Sequence, residues 1–159
     1  MELQETLTSV AGMLRPFKKY LIESGVSEGD QVVFYGCPGT CTPFIDLLSF
    51  AARDLQATFV FVPFIDESKA KTLQEVKDVG MQTSSAQESI DPKVVVIMGG
   101  LAMPNVPVSA DDVKAVISKY DAKIIGVCCM GMFYTAGWEK IINFEMVIDV
   151  TIDPVEVWK

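Results

Sequence analysis

The chain has 159 residues, half of them apolar and 21% charged, which suits one globular domain with a full core. Its net charge of −8 and pI near 4.5 repel phosphate backbones and anionic bilayers, so neither nucleic acid nor membrane is expected as a partner. Mean hydropathy is positive, but the longest apolar runs, such as residues 94–98, fall far short of the roughly 20 residues a spanning helix needs.

The opening residues Met1-Glu2-Leu3-Gln4-Glu5 carry acid where a secretory signal carries base, so no signal peptide is expected. From 2 to 23, Leu3, Leu7, Val10, Leu14, Phe17 and Leu21 recur at helical spacing, with Pro16 set to kink or split the helix. Residues 31–35 are rich in β-formers and end at Gly36. A helix over 43–55 follows, with Thr42 as its N-cap and Pro43 at the first helical position. A strand over 57–63 comes next, then a polar helix over 68–79 closed by Gly80. Residues 81–91 have no clear period and read as a loop.

The stretch 93–98, apolar throughout after Lys93, suits a strand covered on both faces. Ser109 and Asp112 have the spacing of a capping box, which opens a helix running to Tyr120. A strand over 123–127 and a short helix over 138–142 follow. Over 144–153 apolar and polar residues alternate, the mark of an edge strand with one wet face. The order, a helix followed by β-α-β-α-β-α-β-α-β, predicts a single domain over 1–159. The N-terminal helix covers 2–23 and the sheet core 31–153. The fold class is α/β: a Rossmann-like three-layer sandwich on a mostly parallel five-stranded sheet of flavodoxin-like order 2-1-3-4-5.

In that order, the turns after the first, third and fourth strands meet at one crevice outside the carboxyl edge of the sheet, where open α/β sheets bind ligands. The first turn, Gly36-Cys37-Pro38-Gly39-Thr40-Cys41-Thr42, offers two thiols and backbone N–H groups. The others supply Gly99-Gly100 and Cys128-Cys129-Met130-Gly131. A thiol at a helix N-terminus is expected to have a lowered pKa, which makes Cys37 and Cys41 the candidate reactive thiols. Four residues apart, they also suit a reversible disulfide or two ligands to a soft metal, with Cys128 as a third ligand.

An alternative is a small anionic or nucleotide-like ligand. Gly36, Gly39, Thr40 and Thr42 would hold the anion, and Gly99, Gly100, Met130 and Gly131 would admit its body. A third is a non-catalytic scaffold or homodimer. The loop matches neither the dinucleotide fingerprint nor a Walker A loop, and no cofactor is specified. Cys128 and Cys129 are adjacent, so in an extended chain they point to opposite faces and only one joins the site. Met98, Met103, Met130 and Met132 are expected to line an apolar pocket, walled by Tyr35, Tyr134 and Trp138.

Over residues 32–63 alone, a strand ending in Cys-x-x-x-Cys, a helix and a second strand resemble the start of a copper-chaperone thioredoxin-like domain. The rest of the chain departs from that fold, and the histidine of its copper site is absent. The chain as a whole resembles a small family of uncharacterised proteins from archaea, chiefly methanogens. The resemblance rests on Gly36-Cys37-Pro38-Gly39-Thr40-Cys41, Met98-Gly99-Gly100-Leu101-Ala102-Met103-Pro104 and Val127-Cys128-Cys129-Met130-Gly131. It implies an anaerobic cytoplasmic setting, in which free thiols persist.

Overall fold

The computed structural model describes residues 1–86 and 89–159. Helix α1 spans Ser9–Glu23 and precedes strand β1, Gln31–Gly36. Helix α2, Thr42–Ala51, leads to β2, Thr58–Pro63. Strands β3, Lys71–Val76, and β4, Gly80–Ala86, form a hairpin before β5, Pro92–Met98. Helix α3, Ala110–Ile117, β6, Lys123–Cys129, the short helix α4, Met132–Thr135, and β7, Met146–Val150, complete the chain.

Among the described residues these strands form one mixed sheet of seven, in the order β4-β3-β2-β1-β5-β6-β7. The five parallel strands run β2-β1-β5-β6-β7, and the antiparallel hairpin widens the sheet beyond β2. The fold is therefore mixed α/β on a seven-stranded sheet, not the five-stranded flavodoxin-like sheet expected. The crossover from β1 to β2 moves one way across the sheet and that from β5 to β6 the other. Right-handed connections then put α2 and α3 on opposite faces.

The core follows the apolar pattern. Val94, Val95, Val96 and Ile97 of β5 are fully buried, as a central strand covered on both faces requires. Phe17 of α1 meets Phe34 of β1 with ring centroids 5.9 Å apart, and Phe34 meets Phe59 of β2 at 6.4 Å. Strand β7 pairs with β6 alone and lies at the edge, with Ile148 buried and Asp149 exposed.

Three local expectations change. The first helix starts at Ser9, not Glu2, because the chain reverses there at φ +67° and brings Leu7 back against Gly12, where an added Cβ would lie 2.9 Å from that of Leu7. It runs through Pro16 as one helix. The helix expected over 68–79 is the β3–β4 hairpin instead. Leu73 and Met81 are its buried residues, one on each strand. Asp78 turns the chain at φ +63° between strands of alternating polar residues. Of the loop expected over 81–91, residues 81–86 are therefore strand, while Gln87 and Glu88 lie outside the described residues. Ser109 and Asp112 do form the capping box, with the Asp112 N–H donating to Ser109 Oγ at 3.1 Å and the Ser109 N–H to Asp112 Oδ2 at 2.9 Å.

One polar cluster ties the β2–β3 loop to the end of α3. The Tyr35 and Tyr120 hydroxyls donate to Glu67 Oε1 at 2.7 and 2.9 Å, and Lys119 Nζ donates to Oε2 at 2.5 Å. Burial alone would raise the Glu67 carboxyl. The Lys119 ammonium and the two phenols outweigh it and hold the group below its ordinary value. This stabilisation is fully present above the ordinary carboxylate pKa and is lost as pH falls through the lowered folded one. Glu67→Gln is expected to cost about 1–3 kcal/mol at neutral pH. Urea unfolding at several pH values should show the deficit shrinking under acid; a deficit independent of pH would contradict the assignment.

Candidate functional site

Three turns meet at the carboxyl edge of β1, β5 and β6, and missing side chains let them meet. A Cβ on Gly36 would lie 2.9 Å from Cys41 Cβ and 3.0 Å from Met98 Cγ. On Gly100 it would lie 2.5 Å from Cys41 Sγ, and on Gly99 2.3 Å from Cys128 Cβ. These glycines serve close approach, not unusual backbone angles. Positive φ falls instead on Gly39 (+78°), Gly131 (+67°) and Met130 (+56°).

Cys41, not Thr42, holds the N-cap position of α2, and its carbonyl accepts from the N–H groups of Phe44 and Ile45. Its own N–H donates to the Cys37 carbonyl at 3.0 Å, closing the loop between the two cysteines into one turn. The Cys41 and Cys37 sulfurs pack against Gly100, where an added Cβ would lie 2.5 and 3.7 Å from them, and the backbone N–H groups of Cys37 and Gly100 and the Cys37 thiol favour negative charge on Cys41. The expected disulfide partners are thus in contact, and all four cysteines are free.

Burial decides their protonation. It raises both thiols: Cys37 is pushed up to about 11 by burial and then by its neighbour Cys41, while the hydrogen bonds to Cys41 offset only part of the burial there. The lowered thiol pKa expected from the helix terminus is therefore corrected. Within the pair, the sulfur better suited to negative charge is Cys41, because Cys37 donates to it.

A cleft of about 90 Å³ opens beside this pair. Cys41, Phe44, Met98, Met103, Met132 and Cys129 wall it, with Thr40 at the rim and Gly99-Gly100 beneath. Its volume suits an ion or a few waters, whereas pockets for nucleotide-sized ligands run to about 300 Å³ or more. Among the described residues, a larger groove lies elsewhere, between α1 and α2.

Successive residues of β6 alternate faces, so Cys128 and Cys129 part company. Cys128 also borders the cleft, but its thiol donates to Asp149 Oδ1 at 3.2 Å, an oxygen that also accepts from the Gly131 N–H at 3.0 Å. Burial pushes Cys128 up to about 12. Cys129 is the partly buried thiol that opposes Cys41, and burial raises it too. The expected ligand set of Cys37, Cys41 and Cys128 thus does not converge. Among the described residues, no three cysteine or carboxylate side chains group as metal ligands.

The other expected site residues divide. Thr40, Gly99 and Gly100 border the cleft. Gly36 lies behind Cys41, Gly39 has open space around it, and Thr42, Gly131 and Met130 stand apart, Met130 being 61% exposed. Met98, Met103 and Met132 line the cleft as expected. Tyr35 is committed to Glu67, and Trp138 stacks on Phe133 at 5.9 Å, so neither walls the site. Cys129 and Phe44 went unassigned in the sequence. The alternation of β6 separates Cys129 from Cys128 but does not by itself choose between them.

A model for a family described as uncharacterised proteins conserved in archaea (DUF2124) matches residues 8–153. The chain belongs to this family. An uncharacterised protein of Methanocaldococcus jannaschii is 36% identical over 150 residues, covering 94% of this chain and 89% of that protein. Another, from Methanothermobacter thermautotrophicus, is 34% identical over 144 residues, covering 87% and 92%. The crystal structure of a protein of unknown function from M. thermautotrophicus superposes with a TM-score of 0.88 at 29% identity, covering 100% of this chain and 99% of that one. Among the described residues of the present chain, no helix is long and apolar enough to cross a membrane.

Two outcomes follow from this geometry. At neutral pH, iodoacetamide should alkylate the native protein slowly and label Cys129 first. A thiol pKa raised from 9.0 to about 11, as for Cys37, cuts its thiolate about a hundredfold. Peptide mass mapping with time reads this; labelling of Cys37 or Cys41 ahead of Cys129 would contradict it. Gly99→Ala should cost about 1–3 kcal/mol in urea unfolding, because its methyl meets Cys128 backbone as well as side chain. An unchanged midpoint would show that β5 and β6 separate easily here.

Proposed function

We propose that the chain binds a soft, thiophilic monovalent cation such as copper(I) at Cys41 and Cys37, with the methionine-lined cleft as its entrance. The observation that carries this reading is the packing of the Cys41 and Cys37 sulfurs together against Gly100, where the backbone N–H groups of Cys37 and Gly100 favour negative charge on Cys41. Such donors stabilise a thiolate once a cation has displaced its proton, as outer-shell hydrogen bonds do at metal–thiolate sites. Thiolate and thioether are the ligand types that select soft ions, and Met98, Met103 and Met132 supply thioethers on the way in.

Raised pKa values separate this role from nucleophilic catalysis. A nucleophile needs a thiolate at neutral pH and access to its substrate. A metal-binding thiol needs neither in the free protein, because the bound cation itself drives deprotonation. Copper(I) is satisfied by two thiolates, so the absence of a larger cysteine and carboxylate group does not oppose it. A second reading rests on the same Cys37–Cys41 contact: a reversible disulfide formed by two-electron oxidation, each thiol losing a proton as a disulfide substrate is reduced to two thiols.

The test is an anaerobic titration with copper(I) against a chromogenic competing chelator. The wild-type chain should withhold one equivalent, and Cys41→Ser and Cys37→Ser should each weaken retention at least tenfold. Wild-type binding no better than that of Cys41→Ser would overturn the proposal. A chain that ignores copper(I) but loses two hydrogens' mass on treatment with a small disulfide would favour the disulfide reading instead.

A further inference from the structure

A groove of about 540 Å³ runs along α1 where it meets α2. Leu14, Ile22 and Ala51 supply its apolar lining, and Arg15, Lys18 and Lys19 its cationic lining. Three of the chain's 13 cations therefore gather on one face of a protein with net charge −8. Lys18 pairs with Asp54 at 2.7 Å, and Lys19 lies 3.9 Å from Glu23, which also lines the groove. Among the described residues, Arg15 forms no ion pair within 4.0 Å. Beside the groove, Leu47 and Phe50 of α2 are 42% and 37% exposed.

Residues 151–159 carry the complementary pattern. Thr151-Ile152-Asp153-Pro154-Val155-Glu156-Val157-Trp158-Lys159 interleaves four large apolar residues with two acids. Ile152, Val155, Val157 and Trp158 stand 57%, 74%, 83% and 86% exposed, so their own chain leaves them uncovered. Exposing this much apolar surface is unfavourable in water, and contiguous exposed apolar segments of this kind mark interaction sites.

We propose that the α1–α2 groove receives residues 152–158 of a second copy of this chain, in a symmetric dimer that exchanges the two segments. The apolar side chains would cover Leu14, Ile22 and Ala51, and Asp153 and Glu156 would face Arg15, Lys18 and Lys19. Two acidic chains repel at long range, and on this face three cations against Asp54 and Glu23 leave a net positive balance for the partner's acids. A two-fold pair satisfies both grooves and both segments at once and closes the assembly. The proposal uses no residue of the cysteine site and stands independently of it.

Sedimentation equilibrium on the full chain, from low to high micromolar concentration, tests it. The wild type should show twice the 17.4 kDa chain mass. Val155→Asp combined with Trp158→Ala, and separately Arg15→Glu, should raise the dimer dissociation constant at least tenfold with circular dichroism unchanged. Trp138 is buried, so a blue shift in tryptophan emission with rising concentration would report Trp158 entering the partner. Wild-type mass at that of one chain throughout would overturn the proposal, including the case where Trp158 emission is already blue-shifted and the segment packs on its own chain. Variants that keep the wild-type dimer would overturn it as well.

Discussion

Close approach of backbone to sulfur governs this edge of the molecule. Gly36 and Gly100 leave no room for a methyl group beside Cys41, and Gly99 leaves none beside Cys128. Strands β1 and β6 are separated by β5, a spacing of roughly 9.6 Å that ordinary side chains do not bridge without loops leaning inward. Bare backbone at Gly99-Gly100 permits that lean. It lets the start of α2 settle over the end of β5, so that the Cys41 sulfur packs on Gly100 and shares the cleft with Cys129. The sulfur-lined cleft follows from this contact.

The electrostatics of the site depend on the same contact. A helix start and two backbone N–H groups favour negative charge at Cys41, while burial opposes it. Burial wins in the free protein and the thiols stay protonated. The balance is asymmetric within the pair, because the Cys37 thiol donates and the Cys41 sulfur accepts. A cation entering the cleft would meet the better-prepared sulfur first. A substrate needing an exposed thiolate would meet a closed, uncharged surface.

Much of the fold was legible because parallel central strands leave an unmistakable run of β-branched residues, as over 94–97, and because capping boxes and glycine turns are local in sequence. The hairpin β3–β4 was not. Its two buried residues, Leu73 and Met81, are too few to impose a strand period on an otherwise polar stretch, and its turn rests on Asp78 at positive φ. At the site, the convergence of three turns was readable from the strand pattern, as was the division of Cys128 from Cys129. Which of those two joins the cleft was not, since it depends on the register of β6 against β5, where Gly99 comes to press on Cys128. The thiol pKa was misread because a helix N-terminus is visible in sequence and depth of burial is not.

The central claim is that Cys41 and Cys37 together hold a soft cation. Its most direct test is an anomalous difference map from crystals soaked anaerobically in copper(I). The account predicts one principal peak between the Cys41 and Cys37 sulfurs, with nothing comparable at Cys128. A principal peak elsewhere, or a sulfur pair that stays empty while exposed Met130 binds, would contradict it.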